Sequence, residues 1–407
     1  MKFFRSVFSF LLFLSLLFVP ILSSCAKNVQ KSARSTPDEQ DANAERTSAE
    51  ARAREYVANM ELGEKCLQLI LANIDGNEHF DASNVIDAVP GGYLFFAYNF
   101  ADSAEKISSF TKSIADYCRN NGLAAPYLAT DHEGGGINRI RHLSALSSAR
   151  EMAKNRSADE AEQLYAQQGK LLSELGMHIN LAPVAESANA DNAAFLAERS
   201  YGSIENAVSF SLAAVNGYAR AGVACVLKHF PGNTNDDPHR GLPVIRTSAR
   251  TIEQDYIEPF RRIIDASHPE GVLMSHARVL LDSAPTDEYA YAYIDDPAGY
   301  ADANLPACLS EFWVTEVLRK KLRFGGLIFS DDIYMSALRK NGFPPEKAAF
   351  LAVNAGCDVI MFSGKHVAPL RDYLVQAALT DPSFAQKIDD AAVRIIMFKI
   401  AHKILDL

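Results

Sequence analysis

Three short stretches of this chain carry side chains whose types and spacing could do chemistry. In GGLIFSDDIYM an apolar run ends in two carboxylates, Asp331 and Asp332. Asp331 sits at the exit of a predicted strand and can face a site, while Asp332 alternates away and can cap the following turn. A carboxylate so placed can act as a nucleophile or steady a developing cation. In KHFPGNTNDDPHRGL, Asp237 and His239 lie two apart, so in an extended segment they project from the same side. Pro238 favours that geometry by pushing Asp237 out of the helical region. An Asp that accepts a proton from one imidazole nitrogen fixes the tautomer and leaves the other nitrogen as general acid or base. Metal binding by His229, His239 and the aspartates is the competing reading, but the spacing matches no common zinc template. In TDHEGGGINRIRH, Asp131 precedes three glycines, Arg139 and Arg141. A carboxylate beside a guanidinium suits sugar hydroxyls, and the glycines either let backbone approach a ligand or form a tight turn.

These stretches must be positioned by regular elements, and the pattern of the chain says which. Apolar runs recur, each followed by polar or glycine-containing residues: GGYLFFAYN, PYLATDHEGGG, MHINLAPVAES, VACVLKHFPG, GVLMSHARV, GGLIFSDD and CDVIMFSG. Stretches of helical period such as SAEKISSFTKSIADYCRNNG and SADEAEQLYAQQGKLLSELG separate them. Doubly buried strands alternating with helices mean a parallel sheet. Seven or eight such units in 53–407 predict an α/β fold, a single (β/α)8 TIM-like barrel, with a doubly wound open sheet as the alternative. No GxGxxG follows the first strand, which weakens the dinucleotide-binding version. Asp131, Glu186, Lys228 with His229, His276, and Asp331 with Asp332 all fall at C-terminal strand ends. In a barrel those ends share the rim on which active sites are built.

The rest of the sequence bounds the function. The net charge is −10 and the body has no Lys/Arg run, so nucleic acid is not an expected partner and a neutral or small substrate is more natural. The six cysteines form no CxxC pair and mostly sit in apolar stretches, which predicts buried free thiols rather than a disulfide framework or a zinc site. No metal or other cofactor is expected. Residues 1–25 place Lys2 and Arg5 before an apolar run that exits through small residues to Cys25, the layout of an export signal. LSSC resembles the lipobox of bacterial lipoproteins, which implies a bacterial source, cleavage before Cys25 and its lipidation. The polar, aperiodic residues 26–52 read as a flexible tether to the folded part.

Taken in order, MELGEKCLQL, GGYLFFAYN, ATDHEGGGINRI, NLAPVAES, ERSYG, KHFPG, MSHARV, PACLSEFWVTEVLRKKLRFGGLIFSDDIYM and AVNAGCDVIMF resemble the barrel of glycoside hydrolase family 3, in its β-N-acetylglucosaminidase branch. The resemblance runs over about 55–400, and KHFPG with the GLIFSDD strand is its most specific part. It implies a retaining mechanism through a covalent glycosyl-enzyme. By motif position Asp331 would be the nucleophile, and Asp237 with His239 the acid/base dyad that this branch uses in place of a second carboxylate. Asp131, Arg139, Arg199, Lys228 and His229 fall where the family holds the hydroxyls and N-acetyl group of the sugar; His276 is a weaker candidate.

The chain departs from the family after KHFPG, where Asn-Thr-Asn-Asp replaces His-Gly-Asp-Thr, the loop is shorter, and Pro238 stands for Ser. The resemblance implies an exported, membrane-anchored, single-domain exo-β-N-acetylglucosaminidase, probing as a monomer a carbohydrate that ends in N-acetylglucosamine. Its alternatives are a β-N-acetylglucosaminide phosphorylase and a catalytically weakened glycan-binding lipoprotein.

Overall fold

The computed structural model describes the backbone of residues 37–238, 240–281, 302 and 305–407, with side chains from Thr47 onward. Cys25 with the whole export signal, the first part of the tether, and His239 lie outside the described residues.

The described residues form ten short strands: β1 (Ile70–Asn73), β2 (Gly92–Phe95), β3 (Tyr127–Thr130), β4 (Ile179–Asn180), β5 (Ala224–Phe230), β6 (Val244–Thr247), β7 (Gly271–Met274), β8 (Arg278–Leu281), β9 (Leu327–Phe329) and β10 (Ile360–Phe362). Eight of them form one sheet in the order β10-β1-β2-β3-β4-β5-β7-β9, every neighbouring pair parallel. A parallel bridge from Phe329 to Val359 brings the two ends together, with Ser330 N donating to Val359 O at 2.8 Å and Val359 N to Ile328 O at 3.0 Å. The result is the parallel barrel that the alternation of runs predicts, and the open sheet is excluded by this seam. Asp358, fully buried, clamps it: the carboxylate accepts from Ile328 N at 2.8 Å, Arg319 at 2.7 Å and Arg394 at 2.6 Å.

All seven apolar runs hold a barrel strand. The eighth, β1, lies in CLQLILAN, which is apolar but directly continues a helix (Leu62–Gln68), so no turn signal separates the two. β6 and β8 make a separate parallel pair beside the barrel, both in runs too mixed to read as doubly buried strands. Strands β2, β3, β7 and β9 are buried along their full length, as central parallel strands covered on both faces should be.

The covering helices begin where the sequence supplies caps. Ser157 accepts from Glu160 N while Glu160 reaches back to Ser157 N at 2.8 Å, starting the helix Ala158–Glu174. Ser203 starts Ile204–Ala219 by accepting from Asn206 N; such a cap contributes about 1 kcal/mol. These two helices pack closely because Gly217 has no side chain: a Cβ there would stand 2.6 Å from Glu162 O and 2.7 Å from Tyr165 Cβ. One expectation shifts. Residues Pro37–Ala58 form a helix, where a flexible tether was expected up to 52. The segment is rich in Ala, Glu and Arg, all good helix formers, and its last turns bury Ala53 and Val57. The five described cysteines, 66, 118, 225, 308 and 357, are buried free thiols.

Candidate active site

The C-terminal rim of the barrel gathers the charged residues of β3 and β5. Lys228, at the end of β5 and only 3% exposed, places Nζ 2.7 Å from Asp131 Oδ1 and 2.7 Å from Glu133 Oε1. Burial alone would lower its pKa, but the two carboxylates outweigh that and hold it above the ordinary lysine value. The magnitudes require both. Each close ion pair is worth about 4 kcal/mol at an effective dielectric near 20, while desolvating each ion costs several kcal/mol. Arg199 completes the cluster with two parallel hydrogen bonds to Glu133, 2.8 Å from Nε and 2.8 Å from the terminal nitrogen. Burial pushes the Glu133 carboxyl up, yet Lys228 and Arg199 together hold it well below the usual range. Arg139 lies 3.5 Å from Asp131 and over the Phe96 ring at 5.5 Å, and its buried Nε has no hydrogen-bond partner among the described residues.

Glu133 is the residue that sequence reasoning missed. It stands two after Asp131 in the extended exit of β3, so the alternation that pairs Asp237 with His239 also puts these two carboxylates on one side. The glycines that follow serve the turn. Gly134 and Gly135 have φ of 95° and 52°, and Cβ atoms there would come within 2.2 Å of Ser147 O and 2.6 Å of Ser148 Cβ. A Cβ on Gly136 would meet nothing within 4 Å, and the residue lines a cavity of about 460 Å3 that borders Glu133 and Arg199.

Across the rim, Asp331 follows β9. Its Oδ1 accepts from Asp332 N at 2.8 Å and its Oδ2 is 4.0 Å from His276 Nε2, with 16% of the side chain exposed. Burial would raise its pKa, but the charges of His276 and His229, the Asp332 amide and Lys228 outweigh it and keep the carboxyl below its ordinary value. An ionised carboxylate with one face open is what a nucleophile requires. Asp332 turns the other way and accepts from Tyr334 N at 3.0 Å and Ser363 N at 2.9 Å, tying the β9 exit to that of β10; burial raises its pKa. His276 is fully buried, with Nε2 3.1 Å from Asp332 O and Nδ1 3.3 Å from Cys308 Sγ, so it braces this loop from beneath.

The segment after KHFPG is anchored at its root. Asn233 donates to Glu186 through its backbone N at 2.7 Å and its Nδ2 at 2.9 Å. Asn235 Oδ1 accepts from Ala194 N and Phe195 N at 2.9 and 3.1 Å, and its Nδ2 donates to Ala190 O at 3.1 Å. The Asn-Thr-Asn that departs from the family pattern therefore stitches this loop to the one after β4. Asp237 stands in the next turn, its backbone O accepting from Arg240 N at 2.9 Å and its carboxylate 3.5 Å from Arg240 Nε. Of the expected site residues, Asp131, Arg139, Arg199, Lys228, His229 and Asp331 are thus placed on one rim, and Asp237 on the loop beside it. His239 lies outside the described residues. Among the described residues no group of three His, Cys, Asp or Glu side chains is disposed to hold a metal ion.

Comparison with known proteins fits this architecture. Residues 61–398 match the Glycosyl hydrolase family 3 N terminal domain. The chain belongs to glycosyl hydrolase family 3. As a family 3 member it is a glycoside hydrolase. It is 27% identical to a beta-hexosaminidase of Idiomarina loihiensis over 79% of this chain and 91% of that protein. With a beta-hexosaminidase of Tolumonas auensis the identity is 31% over 67% of this chain and 75% of the relative. The fold resembles that of a family 3 beta-N-acetylglucosaminidase from Paenibacillus, with a TM-score of 0.73 and 24% identity, covering 86% of this chain and 65% of the other.

Proposed function

We propose that this family 3 member is a retaining exo-β-N-acetylglucosaminidase, with Asp331 as nucleophile. The observation that carries the reading is the pairing of Asp331, depressed in pKa and open on one face, with the Asp131, Glu133, Lys228 and Arg199 cluster on the same rim. The relatives named beta-hexosaminidase support the substrate class. Lys228, Arg139, Arg199, Asp131 and His229 bind the terminal sugar, with the Arg139 Nε, unpartnered among the described residues, available to a ligand oxygen. Asp331 attacks the anomeric carbon as the glycosidic oxygen takes a proton from His239, which Asp237 orients. Water, deprotonated by the same imidazole, then releases the sugar with retention. In the cell the protein is exported and held on a membrane by a lipid on Cys25, working as a monomer on peptidoglycan fragments or other glycans that end in N-acetylglucosamine.

Incubating the protein with a chromogenic β-N-acetylglucosaminide tests the reading directly. Release of the chromophore is expected, with N-acetylglucosamine rather than a sugar phosphate as product even in phosphate buffer. No turnover, or turnover undiminished in Asp331→Ala, overturns it.

A further inference from the structure

On the chain leaving β4, Glu186 is buried, 3% exposed. Its carboxylate is nevertheless fully engaged toward the site. Oε1 lies 2.7 Å from His229 Nδ1 and accepts from His229 N at 3.2 Å and Asn233 Nδ2 at 2.9 Å; Oε2 accepts from Asn233 N at 2.7 Å. The three amide partners can only donate. A carboxylate accepts at both oxygens, so the network assigns the His229 proton to Nδ1 and leaves Nε2, on the far side of the ring, as the nitrogen available to the site. An amide in place of the carboxylate would turn its own N–H groups on one of these donors.

Two parts of the catalytic apparatus therefore converge on one buried oxygen pair. His229 sits at the end of β5, and Asn233 is the root of the segment that leads to Asp237. The groups facing this pair are few: Lys228 and Asp331 near His229, and Arg199 and Tyr256 near Glu186. We propose that Glu186 is a positioning residue of the hydrolase, holding His229 in the Nδ1–H tautomer with Nε2 toward the bound sugar while anchoring through Asn233 the loop that carries Asp237. Carboxylate–imidazole pairs of this kind fix ring orientation and raise the basicity of the outward nitrogen. The sugar-facing role of His229 rests on the reading above; its tautomer does not.

The test uses the full chain, with Glu186→Gln, Glu186→Asp, His229→Asn and the double variant Glu186→Gln/His229→Asn. Histidine-ring 15N NMR at pH 7 reads the tautomer without any substrate. The expected result is an Nδ1–H signal for His229 in wild type and its loss or exchange with the other tautomer in Glu186→Gln. Steady-state kinetics on the chromogenic glycoside give the second reading. Glu186→Gln is expected to lower kcat/KM about 10- to 100-fold and to change its pH profile, with Glu186→Asp restoring part of the loss. Added to His229→Asn, the same change should have little further effect on KM. An unaltered His229 signal in Glu186→Gln, or losses that multiply in the double variant with an unchanged pH profile, overturn the proposal. Should Glu186→Gln fail to fold, Glu186→Asp carries both readouts. Should wild type show no turnover, the proposed function fails, and the NMR arm alone decides the tautomer assignment.

Discussion

Glu133 and Arg199 form a two-pronged ion pair, 2.8 Å at each prong, and the same carboxylate lies 2.7 Å from Lys228. Glu133 is thus the hub that fixes two cations from different segments, Arg199 on the turn Ala197–Arg199 and Lys228 on β5. Removing it leaves Arg199 without its bidentate partner and Lys228 with Asp131 alone. Loss of one partner from a buried charge pair typically costs about 3–5 kcal/mol. Glu133→Ala should therefore lower the unfolding midpoint markedly in urea titration, and the surviving folded enzyme should show a raised KM. A variant as stable as wild type would mean that the cluster contributes no net stability.

Asp331 permits a test specific to covalent catalysis. Asp331→Gly should abolish turnover of the chromogenic glycoside, by a factor on the order of 10⁴ or more, as removal of a nucleophile does elsewhere. Azide is small enough to take the vacated place and attack the anomeric carbon from the same side. Rescue by azide should yield the α-glycosyl azide, seen by proton NMR of the product. A β-glycosyl azide would instead point to azide intercepting a glycosyl-enzyme formed on another residue.

His132, buried, and His178, half-buried, set a pH dependence of stability. Burial first and foremost lowers the pKa values of His132 and His178 to about 4, from an ordinary 6.5. Between those values the unfolded chain binds protons that the folded chain refuses, so the sign is fixed: stability falls as pH falls from 6.5 toward 4. At 1.36 kcal/mol per pH unit each of the two sites removes about 3 kcal/mol at the lower end. Urea unfolding at pH 7 and pH 5 should show this decline, and His178→Gln should flatten it by one proton. Asp331 acts later, its lowered pKa contributing stability that is present above about 3.8 and lost as pH falls through the folded value.

How far the sequence carried these conclusions depends on range. Each barrel strand that is bounded by a turn and followed by a polar group, such as GLIFSDD or VACVLKHF, declares itself locally, because double burial demands an unbroken apolar run. β1 is hidden for the converse reason, since the helix before it ends without a glycine or proline. In the site, Lys228 and Asp331 are legible from their strand-end positions. Glu186 shares that strand-end signal, but its role does not show, and Glu133 does not show at all, because both depend on partners far along the chain: Arg199 for Glu133, and His229 with Asn233 for Glu186. Nor does sequence alone say that Asn235 does more than fill a polar turn.

Asn235 is where that long-range information becomes testable. Its side chain accepts from Ala194 N and Phe195 N and donates to Ala190 O, so it crosses from the loop after β5 to the loop after β4. The residue is exposed, and each such hydrogen bond contributes only about 1 kcal/mol, so Asn235→Ala should lower the melting temperature by no more than a few degrees. Its effect should fall on the loop that leads to Asp237. If that loop delivers the acid/base group, loosening its root lowers the fraction of bound complexes with the proton donor in place. A loss of about 1.4 kcal/mol in that preorganisation is a tenfold fall in kcat, with KM for the terminal sugar little altered because Lys228, Arg199 and Asp131 are untouched. The fall should be steeper for a substrate with a poor alkoxide leaving group than for a nitrophenyl glycoside, whose departure needs little protonation. Equal losses on both substrates would show that Asn235 serves sugar binding or folding instead.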